Sequence, residues 1–327
     1  MSGERSRWYR ALASTTLLLL LVLFARHVDW RAAAAAARGA DVMLLGAALV
    51  ANQLSLMLKG VRWWIFLRPL GVSSLRLVLR ATYAGASLNN LVIAQGGEAA
   101  RVLLVSKASG VAAARVISAL ALERALDAVS YLALLVGAAM LLHLPESIGR
   151  WRVGASVALG CAIAALLWLG ATSRTGTQAP VAGHSVRSRV ASALSRFAES
   201  MSEMASPTRL LLAMVLSVGA WALQLATYHA VALAAHLPIS IGGSAAAMLA
   251  VGVSFLLRAT PGNVGIFQVI YAMTVTSFGA ERPAAVATAV LIQAVQIIPT
   301  VGLGTVAAWG IIGRPPGRNG SRRSPTW

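Results

Sequence analysis

Apolar residues gather into nine runs, at about 8–25, 40–58, 77–95, 114–142, 153–171, 209–236, 244–257, 264–280 and 284–312. That spacing restricts what the chain can become. Hydrocarbon supplies no hydrogen-bonding partner, so a segment that crosses it must satisfy its backbone internally, as a helix or within a closed barrel. Most of these runs approach the roughly 17 to 25 residues of a spanning helix rather than the roughly 10 of a barrel strand. Composition agrees: 58% of the 327 residues are hydrophobic and 12% charged, with a mean hydropathy of +0.74, outside the usual range of soluble domains. The expected class is an all-α polytopic bundle.

A formal charge of +18 would suggest a nucleic-acid partner for a soluble chain. Here 20 of the 28 basic residues fall in five segments flanking apolar runs, at 1–10, 59–80, 98–115, 172–209 and 313–327. The bias of Lys and Arg toward cytoplasmic loops accounts for them without any polyanion. Arg5, Arg7 and Arg10 before the first run fit a cleaved leader or an uncleaved first span; Trp8 and Tyr9, as interfacial anchors, favour the span.

If 59–80 and 98–115 both face the cytoplasm, run 77–95 enters and leaves on one side, as a re-entrant hairpin. A cytoplasmic C-terminus needs an even number of crossings, which follows if 244–257 and 264–280 form a second hairpin. The result is about six full spans plus two re-entrant hairpins. Three crossings per half (about 1–142 and 153–313) leave the second half inverted on the first, a recurrent transporter design. Two ordinary short helices at 244–280 would remove that symmetry. Segment 172–208, with Val190, Leu194, Phe197 and Met201 at helical spacing, reads as an amphipathic helix on an anionic leaflet or as a plain connector. The basic tail 314–327 has the composition of a disordered segment.

Both proposed hairpins carry helix-breaking residues, Asn89-Asn90-Leu91-Val92-Ile93-Ala94-Gln95-Gly96-Gly97-Glu98 and Arg258-Ala259-Thr260-Pro261-Gly262-Asn263-Val264-Gly265. Irregular backbone at membrane depth is tolerated where it is buried in protein or lines a cavity, so paired breaks point to a midplane substrate site. Arg258 would present a cation that cannot be neutralised by deprotonation, and the N–H groups of Gly262, Asn263 and Gly265 an anion site. Equally, Arg258 snorkels to the interface and Pro261-Gly262 is a turn.

Ionisable residues inside apolar runs are costly and mark functional positions. Glu98 and Arg101 follow the first break. In run 114–142, Glu123 and Asp127 lie four apart, with Arg124 placed to pair with Asp127; a neutralising bridge between helices is the plainer reading of that triad. His229 is read as packing, Trp63-Trp64 as an interfacial aromatic belt, and Cys161 as a buried thiol. The sequence contains no nucleophile elbow, phosphate loop or metal-ligand pattern, so neither cofactor nor metal is expected.

With Asn90, Gly97-Glu98 and Arg101, with Glu123-Arg124 and Asp127, and with Pro261-Gly262-Asn263-Val264-Gly265, the chain resembles the flippase-like family of integral membrane proteins. That family includes the membrane domain of lysylphosphatidylglycerol synthase and archaeal glycosyltransferase-associated relatives, and the resemblance covers nearly the whole chain. Its motifs are Asn…Gly-Glu-x-x-Arg, Glu-Arg-x-x-Asp and Pro-Gly-x-x-Gly. Three positions depart: the family often has Pro where Ile93 stands, an acidic residue where Gln268 stands, and a basic residue in the last span, near Gln293 or Gln296.

The resemblance implies translocation of a lipid with an anionic or glycosylated headgroup: a polyprenyl-linked sugar, an aminoacylated phospholipid or a hopanoid. The expected site comprises Asn90, Glu98, Arg101, Glu123, Arg124, Asp127, Arg258, Gly262, Asn263 and Gly265. No enzymatic step is expected, and the expected location is the plasma (inner) membrane with both termini cytoplasmic. Two rivals are a scaffold for an envelope-biosynthesis enzyme and a membrane-embedded transferase.

Overall fold

The computed structural model of the chain describes residues 38–91, 96–141, 203–254 and 261–312, with isolated positions 154, 157, 160, 161 and 200. Among these the secondary structure is helical, with no strand. Eight α-helices are present: α1 (Val42–Leu67), α2 (Leu75–Leu91), α3 (Gly96–Ser109), α4 (Ala113–Leu141), α5 (Pro207–Ala234), α6 (Ile241–Ser254), α7 (Ile266–Thr276) and α8 (Arg282–Ile312). A 3-10 turn, Pro261–Asn263, precedes α7.

Local chemistry sets several boundaries. The Asp41 carboxylate accepts from the N–H groups of Met43 (2.8 Å) and Leu44 (3.2 Å) and starts α1, taking up donors that a helix N-terminus leaves free. Ser206 does the same for α5 through Arg209 N–H, followed by Pro207 at a position that loses nothing by lacking an N–H. α1, α5 and α8 are long and apolar enough to cross a membrane. α4, at 29 residues, has the length but carries Arg115, Glu123, Arg124 and Asp127 in its first half.

Lengths run long, short, short, long in α1–α4 and again in α5–α8. Packing follows the same rule. α1 lies along α5. Exchanging the first four helices for the last four maps each principal helix contact onto another: α2 on α8 becomes α6 on α4, α1 on α8 becomes α5 on α4, and α3 on α4 becomes α7 on α8. The apolar core divides likewise. One cluster joins Trp63, Phe66, Val78, Val105 and Leu126 with Ala213 of α5; the other joins Tyr228, Val251, Phe267, Tyr271 and Ile292 with Ala48 of α1. Ala48 and Ala213 each stand six residues past the first residue of their helix.

α2 is held on two sides by glycine contacts. A Cβ on Gly97 would fall 2.0 Å from the Gly85 carbonyl oxygen, and one on Gly304 of α8 would fall 2.4 Å from both Ser87 Cβ and the Tyr83 carbonyl oxygen. Backbones meet there at a separation only glycine allows. Asn89 Oδ1 accepts from Gly97 N–H at 2.9 Å and closes the α2–α3 pair across residues 92–95.

Three expectations are corrected. Trp63 is not an interfacial residue but is fully buried, its ring covered by the Arg101 guanidinium. Cys161 is exposed rather than buried. Lys59 and Arg62 do not flank run 40–58 but lie within α1, which continues to Leu67 because protein groups compensate the Arg62 charge. The first run (8–25), most of 153–171, the amphipathic positions of 172–201, Arg258 and the tail lie outside the described residues. Just past that amphipathic segment, Met204 is buried in the first core and Glu203 pairs with Arg115 of α4.

Candidate functional site

Two polar features occupy the interior, and they meet on one face of α1. The first is a network of charges. Arg62 of α1 is 1% exposed and reaches α4 twice, at 3.4 Å to Glu123 and 2.6 Å to Asp127, while its other terminal nitrogen donates to Ser217 Oγ of α5 at 2.6 Å. Glu123 accepts from Arg101 of α3 at 3.0 Å with its second oxygen. Arg101 in turn lies over the Trp63 ring, 4.1 Å from its centroid, a desolvated cation–π contact. At the outer edge Arg124 pairs with Glu98 of α3 (2.5 Å) and with Asp127 one turn along its own helix (3.3 Å).

Three guanidinium groups thus face three carboxylates, and the network is neutral. Pairing of this kind is the condition for burying such charges at all: an isolated one costs several kcal/mol, and removal of one partner exposes that cost. The arrangement pins α1, α3, α4 and α5 together. Glu98, Arg101, Glu123, Arg124 and Asp127 are brought together as expected; Arg62, which completes them, was hidden in the sequence by its place beside a basic flank.

The second feature is a cavity of about 250 Å³ between the two halves. α1 contributes Asn52, Ser55 and Lys59 to its lining, α5 contributes Trp221, Gln224 and Tyr228, and α8 contributes Gln296 and Thr300. Asn90, at the end of α2, and Gly252 of α6 complete the wall. Lys59 stands one turn before Arg62, with Nζ 5.7 Å from the centroid of the Trp221 ring. Among the described residues no Asp or Glu lines the cavity. Lys59 and Gln224 occupy matching places, each seventeen residues past the first residue of its helix (42 to 59, 207 to 224).

The described part of the second break, the turn Pro261–Asn263, packs against α2. Gly262 (φ 59°), Asn263 (φ 58°) and Gly265 (φ 90°) adopt left-handed backbone there, costly for a side-chain-bearing residue such as Asn263. A ring of amides holds the turn. Gly265 N–H donates to Gln268 Oε1 (2.6 Å), Gln268 Nε2 to Gln293 Oε1 of α8 (2.5 Å), and Gln293 Nε2 to the Gly262 carbonyl (2.9 Å). The Gly265 N–H group, expected to face an anion, is therefore taken up by the chain itself. Asn263 is buried. Asn90 reaches the cavity; Gly262, Asn263 and Gly265 belong to the turn at the second break, and the charge network is a separate cluster. Among the described residues no group of three or more His, Cys, Asp or Glu is placed to hold a metal.

Compared with known proteins, residues 9–304 match the family model for the lysylphosphatidylglycerol synthase TM region. No curated protein matches the chain.

Proposed function

Since the chain belongs to the lysylphosphatidylglycerol synthase transmembrane-region family, and is thereby an integral membrane protein tied to lipid biosynthesis or transport, we propose that it is a translocase moving a polar-headgroup lipid between leaflets. The observation that carries this reading is the polar cavity between the halves. An apolar helix bundle has no structural use for Asn52, Lys59, Asn90, Gln224 and Gln296 around one void, since polar groups at membrane depth cost free energy unless they serve a path or a site. A headgroup resists crossing because it must shed water. Hydrogen bonds from the cavity wall replace part of that hydration, while the tails stay in lipid.

In this reading α2–α3 and α6–α7 are the re-entrant hairpins, the first extending past the run 77–95 read from the sequence because α2 is unbroken from Leu75 to Leu91 and the return arm is Gly96–Ser109; both are short of the ~30 Å hydrocarbon thickness, and α4 crosses alongside α1, α5 and α8. With runs 8–25 and 153–171 this gives six crossings as an inverted repeat, supported by the matched contacts of the two halves. Both termini then face the cytoplasm of the plasma membrane. Alternating access would rock one half against the other about the cavity. The protein performs no bond chemistry of its own and needs no cofactor.

The neutral charge network favours a second reading, a scaffold for an envelope-biosynthesis enzyme, because charges that satisfy one another serve rigidity as well as transport. Leaflet exchange of fluorescent lipids in proteoliposomes separates the two. Protein-dependent exchange supports the translocase; its absence across anionic, glycosylated and aminoacylated lipids, with a stoichiometric partner copurifying, supports the scaffold. A new lipid product on incubation with charged tRNA or sugar nucleotides would instead identify a transferase.

A further inference from the structure

Charge is distributed unevenly around the cavity. Arg62, Arg101 and Arg124 are committed to Glu98, Glu123 and Asp127, so none of them is at liberty to bind a headgroup. Lys59 makes no ion pair among the described residues, and its Nζ is set over the Trp221 ring. Its partner by position in the other half is the neutral Gln224. The other polar groups of the wall among the described residues are amides, hydroxyls and the Trp221 indole, able to donate hydrogen bonds, and no carboxylate is among them.

From this we propose that the cavity is a phosphate-binding headgroup site selective for anionic lipids, with Lys59 as its cation and Asn52, Asn90, Gln224 and Gln296 as donors. It rejects headgroups carrying ammonium groups. The proposal rests on the translocase reading and sharpens it. A lysine ammonium is a compact point charge suited to a phosphate oxygen, and amide donors can satisfy the remaining oxygens. An aminoacylated headgroup brings its own ammonium groups, which meet Lys59 as like charges with no carboxylate among the described wall residues to receive them and with the Trp221 face already occupied. The volume, about 250 Å³, sits just below the roughly 300 Å³ at which drug-sized sites begin, room for a phosphate with a small polar substituent and not for acyl chains.

The test uses the full chain in proteoliposomes and, separately, in detergent. Leaflet exchange is followed for fluorescent phosphatidylglycerol, lysylphosphatidylglycerol and a neutral glucosyl diacylglycerol; binding of the same lipids and of inorganic phosphate is followed by native mass spectrometry. Phosphatidylglycerol is expected to exchange and bind at least tenfold better than lysylphosphatidylglycerol. Lys59→Gln should lower phosphatidylglycerol exchange and binding at least tenfold, and Lys59→Arg, which keeps the charge, should restore most of both. Equal handling of the two charged lipids, or indifference to Lys59→Gln, overturns the anionic site while leaving translocation standing. Lys59-dependent binding without exchange of any lipid keeps the site and removes translocation. Lys59-dependent binding of inorganic phosphate, with no preference among lipids, would overturn the lipid assignment in favour of a free phosphate site. Unaltered thermal unfolding of Lys59→Gln confirms that the variant reports on binding and not on folding.

Discussion

Glu123 is the residue on which the buried charges depend, since it is the shared acceptor of Arg62 and Arg101. Glu123→Ala leaves Arg62 with Asp127 as its one carboxylate beside the Ser217 hydroxyl and Arg101 with no carboxylate, and the expected loss is about 3–5 kcal/mol, the usual result of breaking a buried pair from one side. Thermal unfolding in detergent micelles measures it. Arg115→Ala is the control, because Arg115 and its partner Glu203 are each more than a third exposed and such pairs contribute roughly 0–1 kcal/mol; an equal effect of the two variants would remove Glu123 from this role. Glu123, Arg124, Asp127 and Arg101 were legible in the sequence because charges inside or beside apolar runs stand out. Lys59 and Arg62 were not: at the edge of run 40–58 they look like an ordinary basic flank, and only the α4 carboxylates, sixty residues away, show that the helix carries them inside. Gln268 and Gln293 carry no charge, and their pairing depends on the turn geometry. Gln268→Leu, which strips the Gly265 N–H of its acceptor and Gln293 Oε1 of its donor, should cost about 1–3 kcal/mol by the same unfolding measurement, and no change would mean that water replaces the ring.

For the helical elements, the decisive contact is the one between α2 and α3. Gly97→Ala must separate the two helices, since its Cβ would be 2.0 Å from the Gly85 carbonyl and 2.6 Å from the Asn89 side chain that closes the pair. Gly96→Ala, one residue earlier, meets nothing within 4 Å. The first substitution should destabilise by about 1–3 kcal/mol or more, the range for forcing volume into a packed site, and the second should be close to neutral. Comparing their yields and unfolding temperatures checks this, and parity between them would show that α2 and α3 are not in close contact. The existence of the helices and the two breaks was readable from runs of apolar residues interrupted by Gly, Asn and Pro. What could not be read was which glycines mark close approach. Gly96 and Gly97 are adjacent and chemically identical, and only the path of α2 distinguishes them.

At the scale of the whole molecule, the proposed inverted arrangement makes a directional prediction. Ser74, before α2, and Lys107, near the end of α3, are both exposed. In a Cys161→Ala background, Ser74→Cys and Lys107→Cys should react with a membrane-impermeant maleimide from the same side; labelling from opposite sides would make α2–α3 a single net crossing and dissolve the symmetry. The sequence points to this proposed arrangement only through charge and run lengths, because no residue-level repeat is visible between the halves. The structure supplies correspondences that composition hides, such as Lys59 with Gln224. Another lies at the two hairpins. α3 is tied to α4 through Arg101 and Glu123, while α7 is tied to α8 through Gln268 and Gln293, with Glu123 and Gln293 ten and eleven residues into their helices. One half is fastened by an ion pair and the other by amides. Primary amides neither gain nor lose protons across the physiological range, so a transmembrane proton gradient finds no purchase on the second fastening.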